Sequence, residues 1–163
     1  MHGTDTLAYT SSMLSFVLEN LNKTVVVTGS QIPLSELRND AVDNLLGSLL
    51  VAGPFLIPEV VVYFNNKLIR GNRASKVACD QLSAFNSPNC EPLGIFGVTF
   101  NVAWDNVRKF QQGKLILNKK LERNISYLCI TPCLNLKTLE LCITHSRAVV
   151  ISGYGMGNLP TDN

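Results

Sequence analysis

Apolar residues recur at helical spacing over residues 7–21, where Leu7, Leu14, Val17, Leu18 and Leu21 form one stripe. That spacing predicts an amphipathic helix with a core-facing side. Lys23 follows it, where a cation suits a helix C-terminus. Thr24-Val25-Val26-Val27-Thr28 is β-branched throughout and predicts a strand buried on both faces, as in parallel sheets. The strand gives way at Gly29 to a loop, Ser30-Gln31-Ile32-Pro33. A second helical pattern, carried by Ala41, Leu45, Leu46, Leu49, Leu50 and Val51, covers residues 34–52 and closes at Gly53-Pro54. Residues 59–64 have buried-strand composition, Asn65-Asn66 is a hairpin turn, and residues 67–70 form the returning strand. Gly71-Asn72-Arg73 is a loop, and residues 74–85 predict short helical turns. Residues 86–124, with Pro88 and Pro92, predict short strands and loops. A strand at 125–131, a helix at 136–143 and a strand at 148–152 complete the pattern.

Strand and helix patterns thus alternate. Alternation of this kind implies an α/β fold in three layers, a mostly parallel sheet with helices on both faces. Ligands of such sheets sit beyond the carboxyl ends of the strands. The loop at 29–33 obeys that rule as it stands, whereas residues 2–6 obey it only if a strand precedes them.

Composition narrows the functional classes. With 163 residues, 46% of them hydrophobic and 16% charged, the chain is large enough for one domain with a real core, and disorder is excluded. A net charge of +2, carried by scattered residues, argues for neither nucleic acid nor an anionic membrane. The apolar runs are broken before they could span a bilayer, and no secretory pattern opens the sequence. Five cysteines without a CxxC pair, and two distant histidines, give no zinc-type spacing. The expectation is reduced, mostly buried cysteines in a cytoplasmic protein, with no metal and no cofactor.

The chemistry-bearing stretch is His2-Gly3-Thr4-Asp5-Thr6. Taken alone it reads as a helix cap, since Asp5 and Thr6 are residue types whose oxygens accept first-turn N–H groups. Two further segments change that reading, Thr28-Gly29-Ser30-Gln31-Ile32-Pro33 and Arg70-Gly71-Asn72-Arg73-Ala74-Ser75-Lys76. In that order and spacing the three closely resemble the bacterial-type L-asparaginases, in particular the cytosolic type I branch. Residues 13–21 look like the animal members, which carry an asparaginase domain in proteins also described as lysophospholipases. Residues 152–160 resemble the segment leading out of the family's large N-terminal domain.

The resemblance implies hydrolysis of L-asparagine to L-aspartate and ammonia, with Thr4, Asp5 and Lys76 as the catalytic Thr–Lys–Asp constellation. Asp5 would also hold the α-ammonium of the substrate, and Thr4, Ser30 and Gln31 would join it in binding. The residue types suit the task. A threonine hydroxyl needs a neighbour to move its proton, a partly desolvated lysine can do so, and a carboxylate selects an amino-acid ammonium. A small-molecule substrate and, for the complete enzyme, a homo-oligomer are implied as partners. The implied domain division is 1–152 as a partial N-terminal domain and 153–163 as the start of a linker.

Several departures from the family pattern carry expectations of their own. The T-G-G-T-I-type turn that bears the family's nucleophilic threonine is missing from these 163 residues, as is the C-terminal domain. The chain alone is therefore expected to lack asparaginase turnover; the runner-up reading is a non-catalytic fragment, splice form or paralogue. Ala41 and Cys133 stand where the family pattern has glycine, which would strain any turn that demands φ > 0. Gly153-x-Gly155-x-Gly157 lacks the spacing and acidic residue of a dinucleotide-binding loop. No G-x-S-x-G elbow supports a serine lipase.

Overall fold

Helix α1, Leu7–Val17, and strand β1, Leu18–Glu19, open the computed structural model, which describes residues 3–161. The helix is shorter than its apolar stripe because the chain leaves helical geometry at Leu18, and Asn20 turns it with φ 56°. Lys23 therefore lies beyond the last turn. The expected cap is not made either. Thr6 is the N-cap, but its ψ of 9° is not the extended cap geometry, and no side chain accepts a hydrogen bond there.

Strand β2, Val25–Val27, leads to helix α2, Ala41–Ala52, then to β3, Val60–Phe64, and β4, Lys67–Arg70. Between the last two, Asn65 and Asn66 both take positive φ (45° and 62°), as a two-residue hairpin turn requires. A 3-10 turn at Gly71–Arg73 precedes β5, Ser75–Lys76, which pairs antiparallel with β6, Phe85–Asn86. Residues 74–85 thus hold a small strand pair in place of the helical turns expected. β7, Gly94–Phe96, and β8, Phe100–Val102, extend the main sheet, and β9, Ile116–Leu117, pairs antiparallel with β1.

Among the described residues the main sheet runs β2-β3-β4-β7-β8. Only β2 and β3 run parallel in it; the hairpin at Asn65-Asn66 reverses the chain, and the later strands continue antiparallel. The α/β class holds, with a mixed sheet, and helices do cover both faces. Val60, Val62 and Phe64 of β3 pack with Leu7, Leu21 and Phe85, while Val61 and Tyr63 point the other way, toward Val51, Ile57 and Phe96. Alternation along one fully buried strand thus divides the core into two layers.

The face of α2 turned inward is made of small and polar residues, Ala41, Asn44, Gly47, Ser48 and Val51, and its leucines are exposed. Gly47 is required there, because a Cβ would lie 2.2 Å from both Cε1 and Cζ of Tyr63. Burial holds the Tyr63 hydroxyl above its usual range, with the charge of Asp43 adding to the effect. Gly47→Ala is expected to destabilise the fold by about 1–3 kcal/mol, as overpacking does. A lower urea midpoint at unchanged slope would show it; an unchanged midpoint would refute it.

The chain divides into two units, residues 1–119 and 120–163. In the second, β10, Ile125–Cys129, and β11, Ala148–Ser152, pair in parallel and are joined through α3, Leu136–His145. Asn135 caps α3 by accepting the Lys137 N–H at 2.9 Å. Neither Ala41 nor Cys133 takes positive φ, so the strain expected at both is absent. Ala41 simply opens α2, where Asn39 Oδ1 accepts its N–H. The cysteines are less buried than expected: Cys79, Cys129 and Cys133 are exposed, Cys90 and Cys142 half-buried. Cys129 ends a strand whose sheet has two members among the described residues, and its side chain is exposed.

Candidate active site

Residue 28, just past β2, fixes the site. Thr28 Oγ1 donates to the Tyr63 carbonyl at 2.8 Å, and its own carbonyl accepts the Gly3 N–H at 3.2 Å. The Gly3-Thr4 segment is thereby laid against Gly29. A Cβ at residue 29 would lie 2.7 Å from the Gly3 carbonyl oxygen and 3.2 Å from Thr4 Cγ2, so the approach needs glycine.

From the other side comes Lys76, whose strand β5 pairs with β6 in the register Lys76↔Phe85. Phe85 is buried in the core layer beneath α1, which anchors the pair. Lys76 Nζ donates to Thr4 Oγ1 at 3.3 Å and lies 6.0 Å from the centre of the Phe85 ring. Two residues 72 positions apart thus meet beyond the carboxyl end of β2. Lys76 is exposed, so the desolvation expected around it is not observed.

The loop after β2 is held by two residues of which sequence reasoning made nothing functional. Asp40 accepts the N–H groups of Gln31 (3.1 and 3.0 Å) and Ile32 (2.9 Å). Asn44, one turn on, donates to the Gly29 carbonyl at 2.9 Å and to Asp40 Oδ2 at 3.1 Å, and accepts the Asn65 N–H at 2.9 Å. Their i, i+4 spacing at the start of a helix after a strand loop was the available signal. Gln31 Nε2 donates to the Cys79 carbonyl at 2.8 Å and so ties the loop to the chain beyond Lys76.

Of the expected site residues, Thr4 and Lys76 are in contact and Gln31 is bound to their surroundings. Among the described residues, the side chains of Asp5 and Ser30 make no hydrogen bond, and Asp5 no ion pair. His2 lies outside the described residues. Asp5 is exposed and Ser30 and Thr4 are half-buried, which leaves one anion, one cation and two hydroxyls facing accessible space. Such a set can bind a zwitterion and pass a proton between Thr4 and Lys76. Among the described residues no group of three or more His, Cys, Asp or Glu could hold a metal ion.

A family model described as "Asparaginase, N-terminal" matches residues 1–108. The chain belongs to the asparaginase family. It is 43% identical to L-asparaginase 1 of Escherichia coli K12 over 161 residues, 98% of this chain and 48% of that protein. It is 42% identical to the human 60 kDa lysophospholipase over 163 residues, 99% of this chain and 28% of that one. The crystal structure of L-asparaginase I from Vibrio cholerae superposes with a TM-score of 0.89 at 40% identity, covering 98% of this chain and 49% of that one. The chain therefore spans about half the length of these bacterial relatives. Among the described residues no helix is long and apolar enough to cross a membrane.

Proposed function

We propose that Thr4, Asp5, Ser30, Gln31 and Lys76 form the proton-transfer and substrate-binding arm of an amidohydrolase acting on L-asparagine. The observation that carries this reading is the 3.3 Å hydrogen bond from Lys76 Nζ to Thr4 Oγ1 at the carboxyl end of β2. Asp5 receives the α-ammonium of the substrate in a charge-assisted contact, and the free hydroxyl of Ser30 with the Gln31 loop receives its carboxylate. In an enzyme that supplies the attacking hydroxyl, that oxygen bonds the amide carbon as the C–N bond breaks, Thr4 and Lys76 relay its proton to the leaving ammonia, and water then releases L-aspartate.

The attacking threonine of the resembled family belongs to a T-G-G-T-I-type turn not found in these 163 residues. Positioned groups that lack a nucleophile fall far short of catalysis, since residues acting as one unit fail together. We place the protein in the cytoplasm, with residues 153–163 as the start of a linker and the complete enzyme as a homo-oligomer.

The test is titration of the 163-residue chain with L-asparagine by calorimetry, alongside an ammonia assay. Saturable binding is expected, with Asp5→Asn weakening it by about tenfold or more, the worth of a hydrogen bond to a charged group. Ammonia release should stay at background. Binding that ignores Asp5→Asn would overturn the assignment of the ammonium site, and saturable ammonia release would overturn the missing-nucleophile argument.

A further inference from the structure

We propose that Asp40 is a positioning residue for the α-carboxylate of the substrate, acting through the backbone of Ser30. The inference rests on the reading of Thr4, Asp5, Ser30, Gln31 and Lys76 as a substrate-binding arm, and gives a role to a residue outside that set.

Asp40 stands at the N-cap of α2 and does not cap it. A side chain there normally turns forward and accepts the free N–H groups of the first turn. In α2 the acceptor comes from one residue earlier, where Asn39 Oδ1 takes the N–H groups of Ala41 at 3.1 Å and Val42 at 3.4 Å. The Asp40 carboxylate is thereby free to turn back over the loop after β2. Its Oδ1 accepts the N–H groups of Gln31 at 3.1 Å and Ile32 at 2.9 Å. Its Oδ2 accepts the same Gln31 N–H at 3.0 Å and Asn44 Nδ2 at 3.1 Å. Three donors and the positive end of α2 offset its charge, so a second carboxylate can approach the loop.

The consequence falls on Ser30. A peptide group is planar, so holding the planes on both sides of a residue fixes its φ and ψ. The plane before Ser30 is held through the Gly29 carbonyl, which accepts Asn44 Nδ2 at 2.9 Å. The plane after it is held through the Gln31 N–H on Asp40. Asn44 is 2% exposed, and its Oδ1 accepts the Asn65 N–H in the hairpin turn, which ties this clamp to the main sheet. With the N–H groups of residues 31 and 32 spent on Asp40, an arriving carboxylate meets the half-buried Ser30 hydroxyl. A serine held on both sides presents that hydroxyl with less ordering left to lose on binding.

The experiment titrates the 163-residue chain and its Asp40→Asn and Asn39→Ala variants, following backbone amide NMR shifts. The ligands are L-asparagine and β-alaninamide, which is asparagine without its α-carboxylate. Asp40→Asn keeps the shape but loses one acceptor oxygen, so the plane after Ser30 is let go. It should weaken L-asparagine about tenfold, the worth of a hydrogen bond to a charged group, and leave β-alaninamide unchanged. Asn39→Ala, which removes the acceptor at the start of α2, should lower the urea midpoint and leave both affinities unchanged. Hydrogen exchange reads the clamp without any ligand. The amides of Gln31 and Ile32 should exchange faster in Asp40→Asn, with those of β3 unchanged as the control for folding. Equal weakening of both ligands by Asp40→Asn would reduce Asp40 to a structural support and overturn the assignment. So would an unchanged affinity for L-asparagine, or unchanged exchange at both loop amides. An unaltered chain that fails to bind L-asparagine would instead overturn the substrate-binding arm itself, and this role with it.

Discussion

Arg70→Met lowers the stability of the fold by about 3–5 kcal/mol, because it leaves the Glu59 carboxylate buried without its main partner. The Glu59 side chain is 3% exposed, and Arg70 holds it through Nε at 2.5 Å and Nη2 at 3.0 Å. That hydrogen bond also holds the guanidinium proton of Arg70 above its ordinary range. The consequences extend past one pair. Glu59 immediately precedes β3, its carbonyl accepts the Val25 N–H at 3.1 Å, and its carboxylate fixes the Arg108 backbone. Urea titration measures the loss. The double variant Glu59→Leu with Arg70→Met should recover most of it, since no charge is then left uncompensated. A single-variant cost below about 1 kcal/mol would mean that the pair behaves as a surface salt bridge.

Phe64→Ala should cost about 3–5 kcal/mol, the range for truncating a buried phenylalanine. Phe64 is 1% exposed and packs its ring 4.9 Å from that of Phe85, in the layer that also holds Leu7 and Leu21. A functional consequence follows from the register. Phe85 pairs with Lys76, so a cavity at Phe64 loosens the strand that carries Lys76 to Thr4. Asparagine binding by the proposed site should therefore weaken at urea concentrations where the variant is still folded. A variant that loses stability but binds asparagine unchanged would uncouple the core from the site.

The α/β class and most of the run of elements were legible in the sequence. Period-two and period-3.6 patterns report burial directly, and β3, with its unbroken Val60-Val61-Val62-Tyr63-Phe64, could hardly be read otherwise. The Asn65-Asn66 turn was equally plain, since few residues other than glycine take positive φ cheaply. Resemblance, rather than periodicity, marked Thr4, Asp5, Ser30, Gln31 and Lys76.

Tertiary structure decided the rest. Where α1 ends depends on Leu18-Glu19 pairing with Ile116-Leu117, a partner almost a hundred residues away that no local pattern contains. Which side of α2 faces inward was settled by Tyr63, whose ring fits over Gly47, against the helix's own leucines. The sheet is mixed because strands after the hairpin add antiparallel, a choice that composition does not record. The candidate site follows the same division. Its residue types were fixed locally, but the meeting of Thr4 with Lys76 rests on Gly29 admitting Gly3 and on Phe85 anchoring the strand beside Lys76. Local chemistry chose the groups, and only packing between distant segments could set the distances between them.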